Sequence, residues 1–322
     1  MEIRNLGPIK NVSRLSLGGG GIGQVWGATD RDEALATVAA SVAAGINFFD
    51  LAPMYGNGEA ESVVGAAFAE GYPEDIKLST KCMLGDAPAE EIEGRLRRSL
   101  DQSCERLNRD AVDVFFLHGC VIDDGWSGAV YPKVLPRVAV PLSKYRAHVV
   151  PAFKRLKEEG RISAWGITAA MVPGIDLKVL GLDEKPEIVQ CVTNVLNSSG
   201  GMAMAPEEAD HRGIIETASA QGCGVMGIRA VAAGSLTDQI DRAVKAHSPE
   251  QRDFDRAAAF RELAQELGVS VAQLAHQYAL SMSSVDTVVL GVKSPSELEQ
   301  ALTAETTTLS AELVERMNAL YQ

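Results

Sequence analysis

Hydrophobic positions along the chain follow two rhythms. Short apolar runs recur at residues 15–19, 46–50, 76–81, 112–118, 162–168, 188–192, 224–229 and 287–291. Most, such as VDVFFLH and TVVLG, are unbroken rather than alternating, which is the pattern of strands covered on both faces and therefore of parallel sheet. Between the runs, apolar residues return every third or fourth position. Leu35, Val38 and Val42 share one helical face, and Ile92, Leu96, Leu100, Cys104 and Leu107 form a stripe on another. Asp30 and Glu33 have the spacing of a capping box, while Gly45, Gly160 and Gly222 follow helical runs where a left-handed terminator is needed. Strand, turn and helix repeat without a composition break, linker or low-complexity stretch. The pattern predicts an α/β fold, a single-domain (β/α)8 TIM barrel spanning residues 1–322.

Two insertions exceed ordinary loop length. Residues 119–143 follow the fourth run and carry Trp126 and Tyr131; residues 230–268 follow the seventh and contain polar, helix-like sequence. Long loops on the carboxyl side of barrel strands commonly shape the site, so both are expected to do so. Trp26 and Trp126, from the first and fourth loops, are candidates for the substrate-pocket wall.

Gly18, Gly20 and Gly23 match G-x-G-x-x-G after a strand, but the context is not that of a Rossmann site. No helix opens at the third glycine, and Asp50, which ends the second run, comes too far along the chain. The run reads instead as a barrel-mouth loop that leaves room for a ligand, with Gly20 and Gly21 as expected cofactor contacts.

Three consecutive strand ends carry ionisable groups. DLAPMYG contains Asp50 and Tyr55, LSTKC contains Lys81, and VFFLHG contains His118. A lone strand-end Asp or Lys is usually a structural ion pair. Adjacent barrel strands, however, bring these groups to one another, and burying them apart would be costly. A tyrosine near an ammonium has its pKa drawn down from about 10, so Lys81, anchored by Asp50, is expected to make Tyr55 a usable proton donor and acceptor. His118 would orient a carbonyl or share its proton. The hydride must come from a cofactor.

Composition narrows the setting. With 46% hydrophobic and 23% charged residues the chain can bury a large core, and a formal charge of −13 disfavours a nucleic-acid or acidic-membrane surface. The five cysteines are widely spaced without C-x-x-C, as in reduced thiols of a cytosol. The start MEIRNLGPIK lacks the apolar run of a signal peptide, and no apolar stretch approaches the length of a membrane span. A cytoplasmic, soluble protein is expected. The remaining histidines, His148, His211, His247 and His276, form no H-x-H or H-E-x-x-H motif, so no metal is expected.

DLAPMYG followed by GEAESVVGAAF, then STK and DVFFLHG, resembles the aldo-keto reductases, in order and over nearly the whole chain. The resemblance implies a (β/α)8 barrel, a nicotinamide cofactor across its carboxyl face, and a catalytic tetrad of Asp50, Tyr55, Lys81 and His118. It also implies NAD(P)(H)-dependent interconversion of an aldehyde or ketone and its alcohol. After the eighth run, Ser294 has the look of an N-cap before Pro295, and the helix start with Gly291, Lys293 and Ser294 is where the resemblance puts the adenosine phosphate. This favours NADP(H), with NAD(H) possible; Glu299 and Gln300 resemble the family's Glu-Asn pair at the adenine. The chain departs from the family elsewhere. Thr168-Ala169 replaces the usual Ser-Asn, leaving Thr168 and Gln190, with Asn194 nearby, as expected nicotinamide contacts. In MGIRAVAAGSLT, Ile228 and Arg229 replace an aromatic-Ser pair, Arg229 being suited either to stack flat or to bind the pyrophosphate, and Ala232, Gly234 and Leu236 join the expected cofactor contacts. The expected partner is a small carbonyl or alcohol substrate. The alternatives are a sugar or aldose dehydrogenase working oxidatively, a regulatory subunit that binds cofactor without turnover, and a metal-dependent hydrolase, which the histidine spacing disfavours.

Overall fold

A computed structural model describes residues 1–206 and 210–321. The chain opens with an antiparallel hairpin, β1 (Ile3–Leu6) and β2 (Ile9–Ser13). The strands β3 (Leu15–Gly18), β4 (Phe48–Asp50), β5 (Lys77–Cys82) and β6 (Val112–Leu117) follow. After a short pair, β7 (Cys120–Ile122) and β8 (Ala139–Pro141), come β9 (Ile162–Ala169), β10 (Ile188–Val192), β11 (Gly224–Ile228) and β12 (Thr287–Leu290). Strands β3, β4, β5, β6, β9, β10, β11 and β12 pair in that order, each parallel to the next, and β12 closes on β3. All eight barrel strands lie where the apolar runs predict them, with ends within two residues.

The helices follow the predicted signals. Asp30 caps the helix Arg31–Ala43 by accepting from Glu33 N at 2.8 Å. The stripe from Ile92 to Leu107 is buried along the helix that carries it. Gly45, Gly160 and Gly222 all adopt positive φ. Among the described residues, no helix is long and apolar enough to cross a membrane.

Four strands went unpredicted. In the hairpin Ile3 is exposed, while Leu6, Ile9 and Val12 pack beneath the barrel against the inward-facing Phe48, Val114, Phe116 and Met226, closing its amino end; four apolar residues do not make a run. β7 and β8 are three residues each and pair across the insertion 119–143, so neither has a local periodicity to betray it. The insertion 230–268 contains the helices Pro249–Arg256 and Ala258–Leu267, as its polar, helix-like sequence implied.

The glycine-rich segment is a single helical turn, Gly19–Ile22. Its lack of side chains serves the protein's own backbone as much as a ligand. A Cβ at Gly21 would lie 1.9 Å from Val292 O, and one at Gly18 would lie 2.7 Å from Leu290 O. Gly21 thus serves the contact between the first and eighth loops, and it is not among the residues lining the cavity described below. Gly21→Ala is expected to destabilise the fold by about 2–3 kcal/mol through forced backbone displacement; an unchanged thermal midpoint would show that Val292 yields freely.

Candidate active site

The barrel register decides which strand ends meet. Asp50, the last residue of β4, sits opposite Ser79 of β5, and Lys81 follows Ser79 on the same face of that strand. Asp50 Oδ1 accepts from Ser79 Oγ at 2.7 Å, from Lys81 Nζ at 2.8 Å and from Gln190 Nε2 at 2.8 Å. Lys81 Nζ also donates to Leu51 O at 2.7 Å, and Thr168 Oγ1 donates to Gln190 Oε1 at 3.0 Å. Asp50 and Lys81 are 3% and 1% exposed, so this ion pair stands on neighbouring donors and acceptors rather than on water. Ser79 was not singled out from the sequence, although its position two residues before Lys81 on one strand was the signal.

Tyr55 follows β4 in a turn held by its own N–H donating to Ala52 O. Its ring meets His118 edge to face at 5.9 Å, and Lys81 Nζ lies 4.9 Å from its centroid. The electrostatics differ from the sequence expectation in one respect. Burial pushes the Tyr55 phenol above its ordinary value; the Lys81 charge and hydrogen bond pull it down as anticipated, but burial, aided by Asp50, wins. Burial would lower the Lys81 ammonium, yet Asp50 and Tyr55 raise it. Burial, then the Lys81 charge, lowers His118 to about 3. Near neutrality the site therefore holds a neutral phenol, a charged ammonium and a neutral imidazole.

These groups open into a cavity of about 760 Å3 at the carboxyl end of the barrel. Of the expected contacts, Gly20, Trp26, Thr168, Gln190, Ile228, Arg229, Gly234, Gly291, Lys293 and Gln300 line it beside Asp50, Tyr55 and His118. Others do not. Ala232 and Leu236 are fully buried behind the wall, in a second core cluster. Ser294 is occupied as an N-cap, accepting from Glu297 N at 3.2 Å, and Glu299 is not among the lining residues. Trp126 packs on the core instead of the cavity. Asn194 spends its amide on Ser198 O and Arg229 O, bracing the loop rather than facing a ligand.

Three cations line the cavity, Arg229, Arg242 and Lys293, and Arg242 is engaged with Ala233 O and the Trp26 ring. Arg229 has its Nε and Nη2 buried without a hydrogen-bond partner among the described residues. Burial lowers its pKa against the pull of Asp253 and Glu250. An orphaned guanidinium on a cavity wall fits an anionic ligand such as a pyrophosphate. It sits in a strained segment, with φ of 59° at Arg229, 47° at Ala232 and 52° at Ala233. Lys293, before the helix Pro295–Leu302, is not free in the same way: Asp241 hydrogen-bonds its Nζ, and Glu297 Oε1 lies 3.3 Å away. Asp241 was missed because it lies 52 residues upstream, in the insertion. Among the described residues, no group of three or more His, Cys, Asp or Glu is arranged to hold a metal ion.

The sequence model of the Aldo/keto reductase family matches residues 14–322. L-galactose dehydrogenase of Arabidopsis thaliana is 29% identical over 314 residues, covering 95% of this chain and 88% of that protein. Among solved structures, the holo form of an aldo-keto reductase from Bacillus halodurans superposes with a TM-score of 0.74 at 21% identity, covering 100% of this chain and 97% of the other. An aldo-keto reductase from Klebsiella pneumoniae in complex with NADPH does so at 0.70 and 22%, covering 100% and 96%.

The ion pair makes a prediction independent of any reaction. Asp50→Asn keeps the acceptor but leaves a buried ammonium uncompensated, and is expected to cost about 3–5 kcal/mol in urea unfolding. Adding Lys81→Met is expected to recover more than half of that loss; no recovery would mean that the pair is not the source of the cost.

Proposed function

The chain belongs to the aldo/keto reductase family of oxidoreductases, and from that premise we propose that it interconverts an aldehyde or ketone and the corresponding alcohol, with Tyr55 as general acid and base. The observation that carries this reading is the convergence of Tyr55, His118 and the Lys81–Asp50 pair on a cavity whose wall also presents Arg229, with two guanidinium nitrogens lacking a partner among the described residues. A bound dihydronicotinamide dinucleotide supplies the electron pair and hydrogen as hydride to the carbonyl carbon and is itself oxidised, chemistry that no side chain provides. The chain's residues do the rest. Tyr55 delivers a proton to the carbonyl oxygen as the alcohol forms, and Lys81 stabilises the phenolate left behind. Asp50 and Leu51 O hold Lys81 in place, and neutral His118 donates a hydrogen bond that orients the oxygen. Arg229 would hold the dinucleotide's pyrophosphate, with Thr168 and Gln190 at the nicotinamide and Gln300 at the adenine.

The raised phenol favours the protonated form, which is the form that reduction uses. The oxidative alternative draws support from the Arabidopsis thaliana relative, which is named a dehydrogenase. NADPH occupies the Klebsiella pneumoniae structure, and Lys293 offers a charge for a 2′-phosphate. Asp241 and Glu297 compete for that lysine, so we propose that both dinucleotides bind and that NADP(H) gains its advantage only when Asp241 lets go.

Tyr55→Phe is expected to lower kcat/KM by about 10²–10⁴-fold while leaving dinucleotide binding intact, followed by absorbance of the reduced nicotinamide; undiminished turnover rejects Tyr55 as the acid. The acid form of a raised phenol persists through neutrality. The kcat/KM for reduction is therefore expected to be flat from pH 6 to 9, with no inflection near 6.5 from His118, and oxidation to rise with pH. Asp241→Asn is expected to raise the NADPH-to-NADH ratio of kcat/KM about fivefold; an unchanged ratio removes Asp241 from selectivity.

A further inference from the structure

The cavity has two chemically different halves. Every charged side chain on its wall other than Asp50 comes from residues 229 onward, that is, from the segments following β11 and β12. The part walled by the segments after β3 to β9, together with the stretch after β10, is different, although Arg229 borders that stretch at Gly200. Above Tyr55, His118 and Thr168 its side chains are those of Val25, Trp26, Val138 and five methionines, Met54, Met83, Met171, Met202 and Met204. The chain has nine methionines in all, so more than half of them face this one space.

This wall is built, not incidental. Met204 N donates to Met171 O at 2.9 Å, and Met204 O accepts from Val130 N at 2.8 Å. The stretch after β10 is thereby pinned to the end of β9 and to the insertion 119–143. Met171 and Met204 are buried in the wall at 8% and 4% exposure, whereas Met54 and Met83, at 54% and 36%, form the rim. Thioethers are polarisable and unbranched, so they mould to apolar ligands of varied shape and offer almost nothing to a hydroxyl. A polyhydroxylated ligand there would lose about tenfold in affinity for each hydroxyl left without a partner.

Resting on the carbonyl–alcohol reading above, we propose that the substrates are apolar carbonyl compounds and alcohols, with alkyl or aryl bodies seated on the methionine wall, rather than sugars or polyols. The aldehyde carbon accepts the hydride of the reduced dinucleotide and its oxygen the Tyr55 proton, giving the primary alcohol and the oxidised dinucleotide. Only the apolar tail distinguishes good substrates from poor ones.

The test is a chain-length series on the intact protein with NADPH or NADH: propanal, hexanal and octanal, with octan-1-ol against L-galactose in the oxidative direction. The expected result is kcat/KM rising about fourfold per added methylene that the wall buries, and octan-1-ol oxidised in preference to L-galactose. A flat or falling series, or L-galactose preferred, overturns the assignment while leaving the redox reading intact. Met54→Gln and Met83→Gln, on the rim, are each expected to cut the octanal-to-propanal ratio severalfold, and an unaltered ratio in both counts against the wall. If no carbonyl or alcohol turns over, the redox reading fails and the wall is tested by calorimetry. Binding of octan-1-ol with a negative heat-capacity change, and none of galactitol, supports it; failure to bind octan-1-ol overturns it.

Discussion

An ammonium with almost no exposure to water dictates the layout of this barrel's mouth. Lys81 is tolerable there because Asp50 faces it across one strand boundary and Leu51 O accepts a second hydrogen bond from it. Asp50 is in turn held by Ser79 and Gln190, and Gln190 by Thr168. Four barrel strands thus contribute to one hydrogen-bonded set, and the strand register is what brings them within reach. A slip of one residue in β5 would turn Lys81 outward and leave Asp50 uncompensated. The chemistry proposed for Tyr55 inherits its geometry from this set.

The same burial governs the acid–base balance. A charge beside a phenol was expected to decide its protonation, yet removing the phenol from water has the larger effect, and the cation only moderates it. His118 is driven to its neutral form by the same exclusion of water, reinforced by repulsion from Lys81. A neutral phenol and a neutral imidazole therefore sit side by side next to a charged ammonium.

Much of this was legible in the sequence. The eight parallel strands announce themselves as unbroken apolar runs, and Asp50, Lys81 and His118 as polar residues at the ends of such runs. The helix starts at Asp30 and Ser294 follow from capping chemistry. What escaped was long-range. Nothing local marks Gly21 as the neighbour of Val292, Asp241 as the partner of Lys293, or Asn194 as a brace for the Arg229 segment. Trp126 is large, aromatic and in a long loop, which suggests the pocket, but its side chain packs on the core, a contact that nothing local announces. The methionines are scattered over four segments and acquire meaning only once the barrel collects them.

The segment after β11 has one further implication. Arg229, Ala232 and Ala233 lack the freedom of glycine, yet all three hold left-handed backbone within five residues, at about 1–2 kcal/mol each. Tertiary packing has to impose such a bend, since the peptide would relax out of it in isolation. A mould set during folding need not be reshaped by whatever later lies in it: the entropy of ordering that stretch is spent once per molecule made, and not again at each encounter with a ligand.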